Sequence, residues 1–212
     1  MNLTFEGFGR DERIAEDKSQ WFTPPDIAAR MVRWAGAVTP DVVIEPSTGS
    51  GNLVQAAFDR WSGTRVEAFE VDPFYANALT TRFDASGRVS VVCGDYLAYR
   101  NAREPYDVLG LANPPYEDGL DGQFLAKLMD ECDRIVALVR LACLAGAKRR
   151  QGVWSRLDRD WNLHGLAIFA SRPEFQAGRA VGDRREGESA KADFCVVKLS
   201  RYGSMSTGVE WW

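Results

Sequence analysis

Four consecutive residues, Asn113, Pro114, Pro115 and Tyr116, carry the groups needed to handle a conjugated amine. Two prolines fix the backbone and remove two N–H donors, leaving carbonyl oxygens free to accept hydrogen bonds. The exocyclic amine of a nucleobase is a weak nucleophile because its lone pair is delocalised into the ring. If the Asn113 side-chain oxygen and the Pro114 carbonyl both accept from such an amine, the lone pair is drawn out of conjugation and aimed. Tyr116 offers a ring for the base to stack on, a contact worth ~1–3 kcal/mol. The plainer alternative is a Pro-Pro turn that only ends a strand, and four matched residues at one strand end weigh against it.

A second group of motifs suits a nucleoside. The run Glu45-Pro46-Ser47-Thr48-Gly49-Ser50-Gly51 follows a short apolar stretch. Its glycines let the backbone turn tightly and approach a ligand closely before a helix begins. A dinucleotide site needs a third glycine for close helix–strand packing, and Val54 stands in that place. The lysine of a phosphate-cradling loop is missing as well. Further on, Glu70-Val71-Asp72 ends the next strand, where a carboxylate accepts from two ribose hydroxyls. Gly94-Asp95-Tyr96 ends the third, where Asp95 can accept from an adenine amine. Each motif alone has an ordinary explanation as a turn or cap. Three successive strands ending in suitable polar chemistry do not.

These residues need strands that end where they stand. The pattern predicts strands over Asp41–Glu45, Arg65–Val71, Val89–Cys93, Tyr106–Ala112, Ile135–Leu141, His164–Ala170 and Ala192–Leu199. It predicts helices over Asp26–Ala35, with Asp26 as N-cap behind Pro24 and Pro25, and over Asn52–Trp61, Phe74–Phe83 and Gly122–Cys132. Residues Ala142–Trp161 read as mainly helical. Alternating strands and helices imply an α/β, Rossmann-like fold: a mainly parallel sheet of seven strands with helices on both faces. Only a loop joins the last two strands, which makes them antiparallel neighbours at one edge. Ligands in such sheets sit beyond the carboxyl ends of the strands, and every motif above falls there. Residues 1–20 read as a lead-in, 21–200 as one catalytic domain and 201–212 as a tail, with Trp211 and Trp212 disordered or, alternatively, capping a dimer surface or stacking on a partner.

The composition fits one globular domain: 212 residues, 45% hydrophobic and 26% charged. No apolar run approaches the ~20 residues that span a membrane, and residues 1–17 show no secretory signal. Cys93, Cys132, Cys143 and Cys195 are scattered without a CxxC pair, and His164 is the single histidine. No metal cluster is expected, and the thiols read as reduced and buried in a cytoplasmic protein. His164 opens an apolar strand away from the tetrad and reads as structural. The net charge of −4 does not advertise nucleic-acid binding. Its distribution is uneven, however. Residues 1–139 hold 13 basic and 22 acidic side chains, whereas 140–191 hold 11 and 6. A one-sided basic surface that includes Arg140, Lys148, Arg149, Arg150 and Arg156 suits nucleic acid, and a solvated helix face explains it equally well.

With these residues in view, the chain resembles the amino-group DNA methyltransferases, particularly the short adenine-N6 enzymes of phages and prophages. The resemblance runs from about Gln20 to Leu199. Gln20-Trp21-Phe22-Thr23-Pro24-Pro25 is similar to that family's N-terminal motif, which implies Phe22, Thr23 and Pro24 around the cofactor's methionine or adenosine moiety. Glu45, Pro46, Ser47, Gly49 and Gly51 match its glycine motif. Glu70 with Val71, and Asp95 with Tyr96, take its ribose and adenine positions. Asn113-Pro114-Pro115-Tyr116 takes the place of the catalytic tetrad, with Asn113 also beside the cofactor. Val139 to Gly146, Lys148, Trp154 and Ser171 to Phe175 resemble runs shared by the short members. The resemblance implies the class I S-adenosylmethionine-dependent methyltransferase fold, S-adenosyl-L-methionine as cofactor, DNA as partner, no metal, and a bacterial or phage-infected cytoplasm. The implied reaction is in-line methyl transfer to adenine N6 of a base flipped out of its stack, as in restriction-modification systems. Alignment of such a displacement contributes as much as ~7–11 kcal/mol.

The family's separate target-recognition domain has no counterpart here. Only about 15 residues, 176–190, separate the last two strands. Target reading then falls to the basic helix and the Arg179-to-Arg185 loop, to a specificity subunit or second copy, or to nothing. Cytosine N4, an RNA base and a protein glutamine amide remain alternative acceptors. A methyltransferase-fold binding module without catalysis is the alternative outside enzymes.

Overall fold

The computed structural model describes residues 21–99, 106–177, 192–203 and 207–212. Gln20, the rest of the lead-in and the Arg179-to-Arg185 loop lie outside the described residues. In chain order the elements are β1 (Trp21–Phe22), α1 (Pro25–Trp34), β2 (Val42–Glu45), α2 (Asn52–Arg60), β3 (Arg65–Glu70), α3 (Pro73–Phe83), β4 (Val89–Cys93) and β5 (Val108–Ala112). They continue with α4 (Leu120–Glu131), β6 (Arg134–Arg140), α5 (Ala147–Gly152), β7 (Asn162–Ile168), β8 (Gln176–Ala177), β9 (Phe194–Ser200) and β10 (Gly208–Trp211).

The main sheet has the order β10-β7-β9-β6-β5-β2-β3-β4. Strands β2 to β6 pair in parallel, and β9 runs antiparallel between β6 and β7. Every residue of β2 and β5 is buried, as expected of central strands covered on both faces. Helices α1, α2 and α3 cover one face through Met31, Val32, Leu53, Val54 and Leu79. Helix α4 covers the other through Phe124, Leu125, Leu128 and Met129. Each such side chain contributes ~1.5–3 kcal/mol when fully buried. From β2 the chain moves outward to β3 and β4, then returns to the other side of β2 as β5. The order therefore reverses between β2 and β5, which opens a crevice beyond their carboxyl ends.

Three expectations are corrected. The sheet has eight strands rather than seven, because β10 pairs in parallel with β7 beyond the antiparallel strand. The end of the tail, 207–212, is thus ordered where a disordered tail is expected: the Trp212 ring packs on Trp34 and Phe169, and the Arg30 guanidinium lies 4.2 Å from its centroid. The stretch 142–161 is mainly helical, as expected, but in short pieces. It breaks into a 3-10 turn at Leu141–Leu144, the short α5 and a second 3-10 turn at Trp154–Asp158, and Gly146 at φ +98 marks the first break. Finally, Pro24 rather than Asp26 occupies the cap of α1, and Asp26 lies in its first turn. A proline at the first helical position is already set to helical φ, so the helix starts at Pro25. A second, two-stranded sheet joins β1 to β8 in antiparallel pairing, Trp21 opposite Ala177.

Candidate active site

The crevice between β2 and β5 is a cavity of about 530 Å³, within the usual range for small-molecule sites. The turn after β2 supplies Pro46, Ser47 and Gly49 to its wall. Gly49 has φ +51, and a Cβ there would fall 2.4 Å from Cδ1 of Phe22. Phe22 stands edge-to-face on Tyr75, with ring centroids 4.9 Å apart, and also lines the cavity. Gly51, at φ +80, caps α2 and packs on Leu79 rather than on the cavity.

Glu70 ends β3 and is 8% exposed. Its Oε2 accepts from the Gly49 N–H at 2.6 Å and its Oε1 from the Asp72 N–H at 2.8 Å. Burial pushes the carboxyl above its ordinary value, and the Asp72 and Gly49 N–H groups oppose that shift. A carboxylate has about four lone-pair sites, so Glu70 holds the glycine turn and keeps acceptor capacity toward the cavity. Val71 is exposed at the rim. Asp95 also lines the cavity, and its Oδ1 accepts from the Leu97 N–H at 2.9 Å. Tyr96 reaches the wall only in part. Its ring packs on Phe69, its hydroxyl donates to Glu131 Oε2 at 2.7 Å, and burial drives the phenol pKa upward. These residues fit a nucleoside-bearing cofactor: acceptors at the ends of β3 and β4, a glycine turn opposite, and apolar walls between.

The Asn113–Tyr116 run leaves β5 and lines the same cavity. Asn113 Nδ2 donates to the Trp21 carbonyl at 3.3 Å, which turns Oδ1 the other way, where it accepts from the Tyr116 hydroxyl. The Asn113 carbonyl accepts from Ser47 Oγ at 3.1 Å, tying the tetrad to the glycine turn. Tyr116 lines the cavity with its ring partly buried, edge-to-face on Phe194 at 5.4 Å. Burial pushes its phenol up as well, the Asp121 carboxylate adds to this, and Arg140 opposes it.

Three expected cofactor residues stand behind the wall. Thr23 lines a narrow side cavity, and its carbonyl accepts from Asn52 Nδ2 at 2.8 Å. Pro24 begins α1. Glu45 is 1% exposed beneath the turn, with Oε1 accepting from the Ser47 N–H and Oε2 without a hydrogen-bond partner among the described residues. The structure also adds Trp21, Asp72, Tyr75, Leu97, Leu120 and Phe124 to the cavity. Trp21 and Asp72 adjoin residues the motifs single out. Tyr75, Leu120 and Phe124 sit at ordinary helix positions, which carry no signal.

The basic surface is largely redirected. Arg140 donates to the Tyr116 carbonyl, and Arg149 lies 3.2 Å from the buried carboxylate of Asp121. Arg156 binds the Ala126 and Met129 carbonyls of α4 and, at 2.8 Å, Asp130. Only Lys148 and Arg150 of the five candidates are exposed. Buried carboxylates and helix-end carbonyls need cations, and these arginines supply them. His164 lies within 3.0 Å of the Tyr202 carbonyl and does not line the cavity. Among the described residues no group of three or more His, Cys, Asp or Glu is placed to hold a metal ion.

No protein-family model matches the chain. An rRNA methyltransferase of Streptomyces thermotolerans is 30% identical over 196 residues, which is 90% of this chain and 60% of that protein. The type II methyltransferase M.XamI of Xanthomonas campestris pv. amaranthicola is 29% identical over 99 residues, 45% of this chain and 19% of that protein. The chain thus spans 60% or less of the length of these curated relatives. Among solved structures, the methyltransferase subunit of a type I restriction-modification system from Streptococcus thermophilus superposes with a TM-score of 0.67 at 15% identity, covering 91% of this chain and 47% of that one. The fold is the α/β fold of class I S-adenosylmethionine-dependent methyltransferases, and fold and relatives together imply S-adenosyl-L-methionine as the cofactor.

Proposed function

We propose that this chain transfers a methyl group from S-adenosyl-L-methionine to the N6 amine of adenine in a nucleic acid, with DNA as the first substrate to test. The observation that supports this best is Asn113, whose amide is fixed by Trp21 and Tyr116 at the end of β5, beside the glycine turn that ends β2. When bound, the cofactor supplies a methyl group on a sulfonium, an electrophile with an excellent leaving group. Glu70 and Asp95 hold the nucleoside part, and Phe22 closes on Gly49 over the turn. Asn113 Oδ1 and the Pro114 carbonyl accept from the incoming amine and set its lone pair toward the methyl. No strong base is required, because the amine becomes acidic once methylated. A base within a duplex reaches this cavity only by leaving its stack, at a cost of a few kcal/mol. Lys148 and Arg150 stand as candidate phosphate contacts, and a partner subunit or second copy is a candidate for target reading. No helix among the described residues is long and apolar enough to cross a membrane, and we place the activity in the cytoplasm.

DNA is favoured by the pairing of Thr23-Pro24-Pro25 with Glu45-Pro46-Ser47 and by the type II relative. An RNA adenine is the second reading, favoured by the rRNA methyltransferase that matches most of the chain. Both are tested together by labelled methyl transfer to unmethylated duplex DNA and to ribosomal RNA, with the products digested to nucleosides. N6-methylated adenine from DNA supports the first reading and from RNA the second. Methylated cytosine would keep the chemistry and replace the base. No methylated nucleoside from either, with cofactor bound, removes the nucleic-acid reading.

A further inference from the structure

Arg140 ends β6 next to β5, so its side chain reaches the turn that carries Asn113. Its Nη2 donates to the Tyr116 carbonyl, and its guanidinium carbon lies 5.4 Å from the centroid of the Tyr116 ring. The same Nη2 is 3.9 Å from Oδ2 of Asp121, whose side chain is 0% exposed. Asp121 is held in turn by Arg149 at 3.2 Å and by the Gly122 N–H at 2.9 Å. Arg140 Nε is buried without a hydrogen-bond partner among the described residues, so this edge of the guanidinium faces the interior.

The turn needs such a grip. After Tyr116 the chain passes through Asp118 at φ +48 and Gly119 at φ +79 before α4 begins. A non-glycine residue in the left-handed region persists only where its surroundings over-determine it. Arg140 takes the carbonyl just before that left-handed pair and approaches the carboxylate just after it. One cation therefore ties both ends of the turn. From Tyr116 the path continues to the amine acceptor: the phenol donates to Asn113 Oδ1, and a carbonyl oxygen has a second lone pair to offer an incoming amine.

We propose that Arg140, backed by Asp121, is a positioning residue of the catalytic turn, acting on Asn113 through Tyr116, and is not a phosphate contact. This rests on the reading of Asn113 as the amine acceptor. A lysine at 140 can still reach the Tyr116 carbonyl as a point charge, whereas a glutamine offers no cation to Asp121.

The test compares Arg140→Gln, Arg140→Lys and Asp121→Asn with the wild type, each checked for folding by thermal denaturation. On the nucleic acid that the wild type methylates, Arg140→Gln should lower kcat about tenfold or more. KM and its salt dependence should stay unchanged, and Arg140→Lys should recover part of the loss. A raised KM at unchanged kcat, with the salt slope shallower by about one phosphate contact, overturns the proposal. A second measurement needs no turnover and can use Arg140→Lys or Asp121→Asn if Arg140→Gln does not fold. The ¹⁵N side-chain amide signal of Asn113, assigned by its loss in Asn113→Ala, should shift in each of these variants. An unmoved signal overturns the clamp. If the wild type methylates no nucleic acid, the proposed function falls, and the Asn113 signal still decides whether Arg140 acts on it.

Discussion

The ring of Phe22 lies against Gly49 so closely that a Cβ at residue 49 would fall 2.4 Å from Phe22 Cδ1. This contact joins the N-terminal segment to the glycine turn and sets the wall of the cavity. Gly49→Ala must displace the ring and also strain a backbone at φ +51. The expected result is a cofactor affinity lower by about 1.4 kcal/mol or more, tenfold in Kd, measured by calorimetry with S-adenosylhomocysteine. An unchanged affinity would show that Phe22 is not part of the cofactor wall.

Glu45 gives the fold a pH signature. Burial pushes its carboxyl well above 4.5, the Ser47 N–H opposes the shift, and the neighbouring Glu70 charge adds to it. An acid with a raised folded-state pKa is held neutral more readily when folded. Its contribution is therefore complete below 4.5 and is lost as pH rises through the folded value. Glu45→Gln removes this titration. Denaturant midpoints between pH 4 and 8 should show the wild type losing ground to the variant as pH rises. Parallel profiles would refute the assignment.

Trp212 holds the eighth strand to α1. Its backbone N–H donates to the Ile168 carbonyl at 2.7 Å, and its ring centroid is 5.4 Å from that of Trp34. Trp212→Ala should cost about 1–3 kcal/mol, less than a fully buried tryptophan. A chain of this size then melts ~2–4 °C lower per kcal/mol. A melting temperature within a degree of the wild type would mean that the pairing of β10 is incidental.

Arg149 and its neighbour Lys148 should separate cleanly. Arg149→Gln removes the cation 3.2 Å from a carboxylate that is 0% exposed. The expected loss is on the order of 2 kcal/mol, below the value for a fully buried pair because Arg149 is itself 28% exposed. Lys148→Gln should leave stability within ~0.5 kcal/mol and reduce the salt dependence of nucleic-acid binding instead. The opposite pattern would return Arg149 to the binding surface.

The central strands were legible because a strand buried on both faces is a short continuous apolar run. Val42–Glu45 and Val108–Ala112 each end at a motif, so the crevice and its acceptors could be placed from sequence. Gly208–Trp211 was not legible. Four exposed residues carry little periodicity, and their pairing with β7 depends on where β9 has already gone. The arginines could not be read for a related reason. Composition records a charge but not its direction: Arg140 donates to the Tyr116 carbonyl, and Arg149 pairs with the buried carboxylate of Asp121. The hold on Asn113 was equally hidden, since its partner Trp21 stands 92 residues away.

In the proposed function Asn113 presents the amine to the methyl donor and leaves the cofactor to other residues. Methyl transfer and S-adenosylhomocysteine affinity should be measured side by side for the wild type and Asn113→Ala, with DNA and ribosomal RNA as acceptors. The expected result is N6-methylated adenine from the wild type, loss of transfer by about two orders of magnitude or more in the variant, and nearly equal affinities. Transfer that survives in Asn113→Ala, or transfer and affinity that fall together, would contradict it.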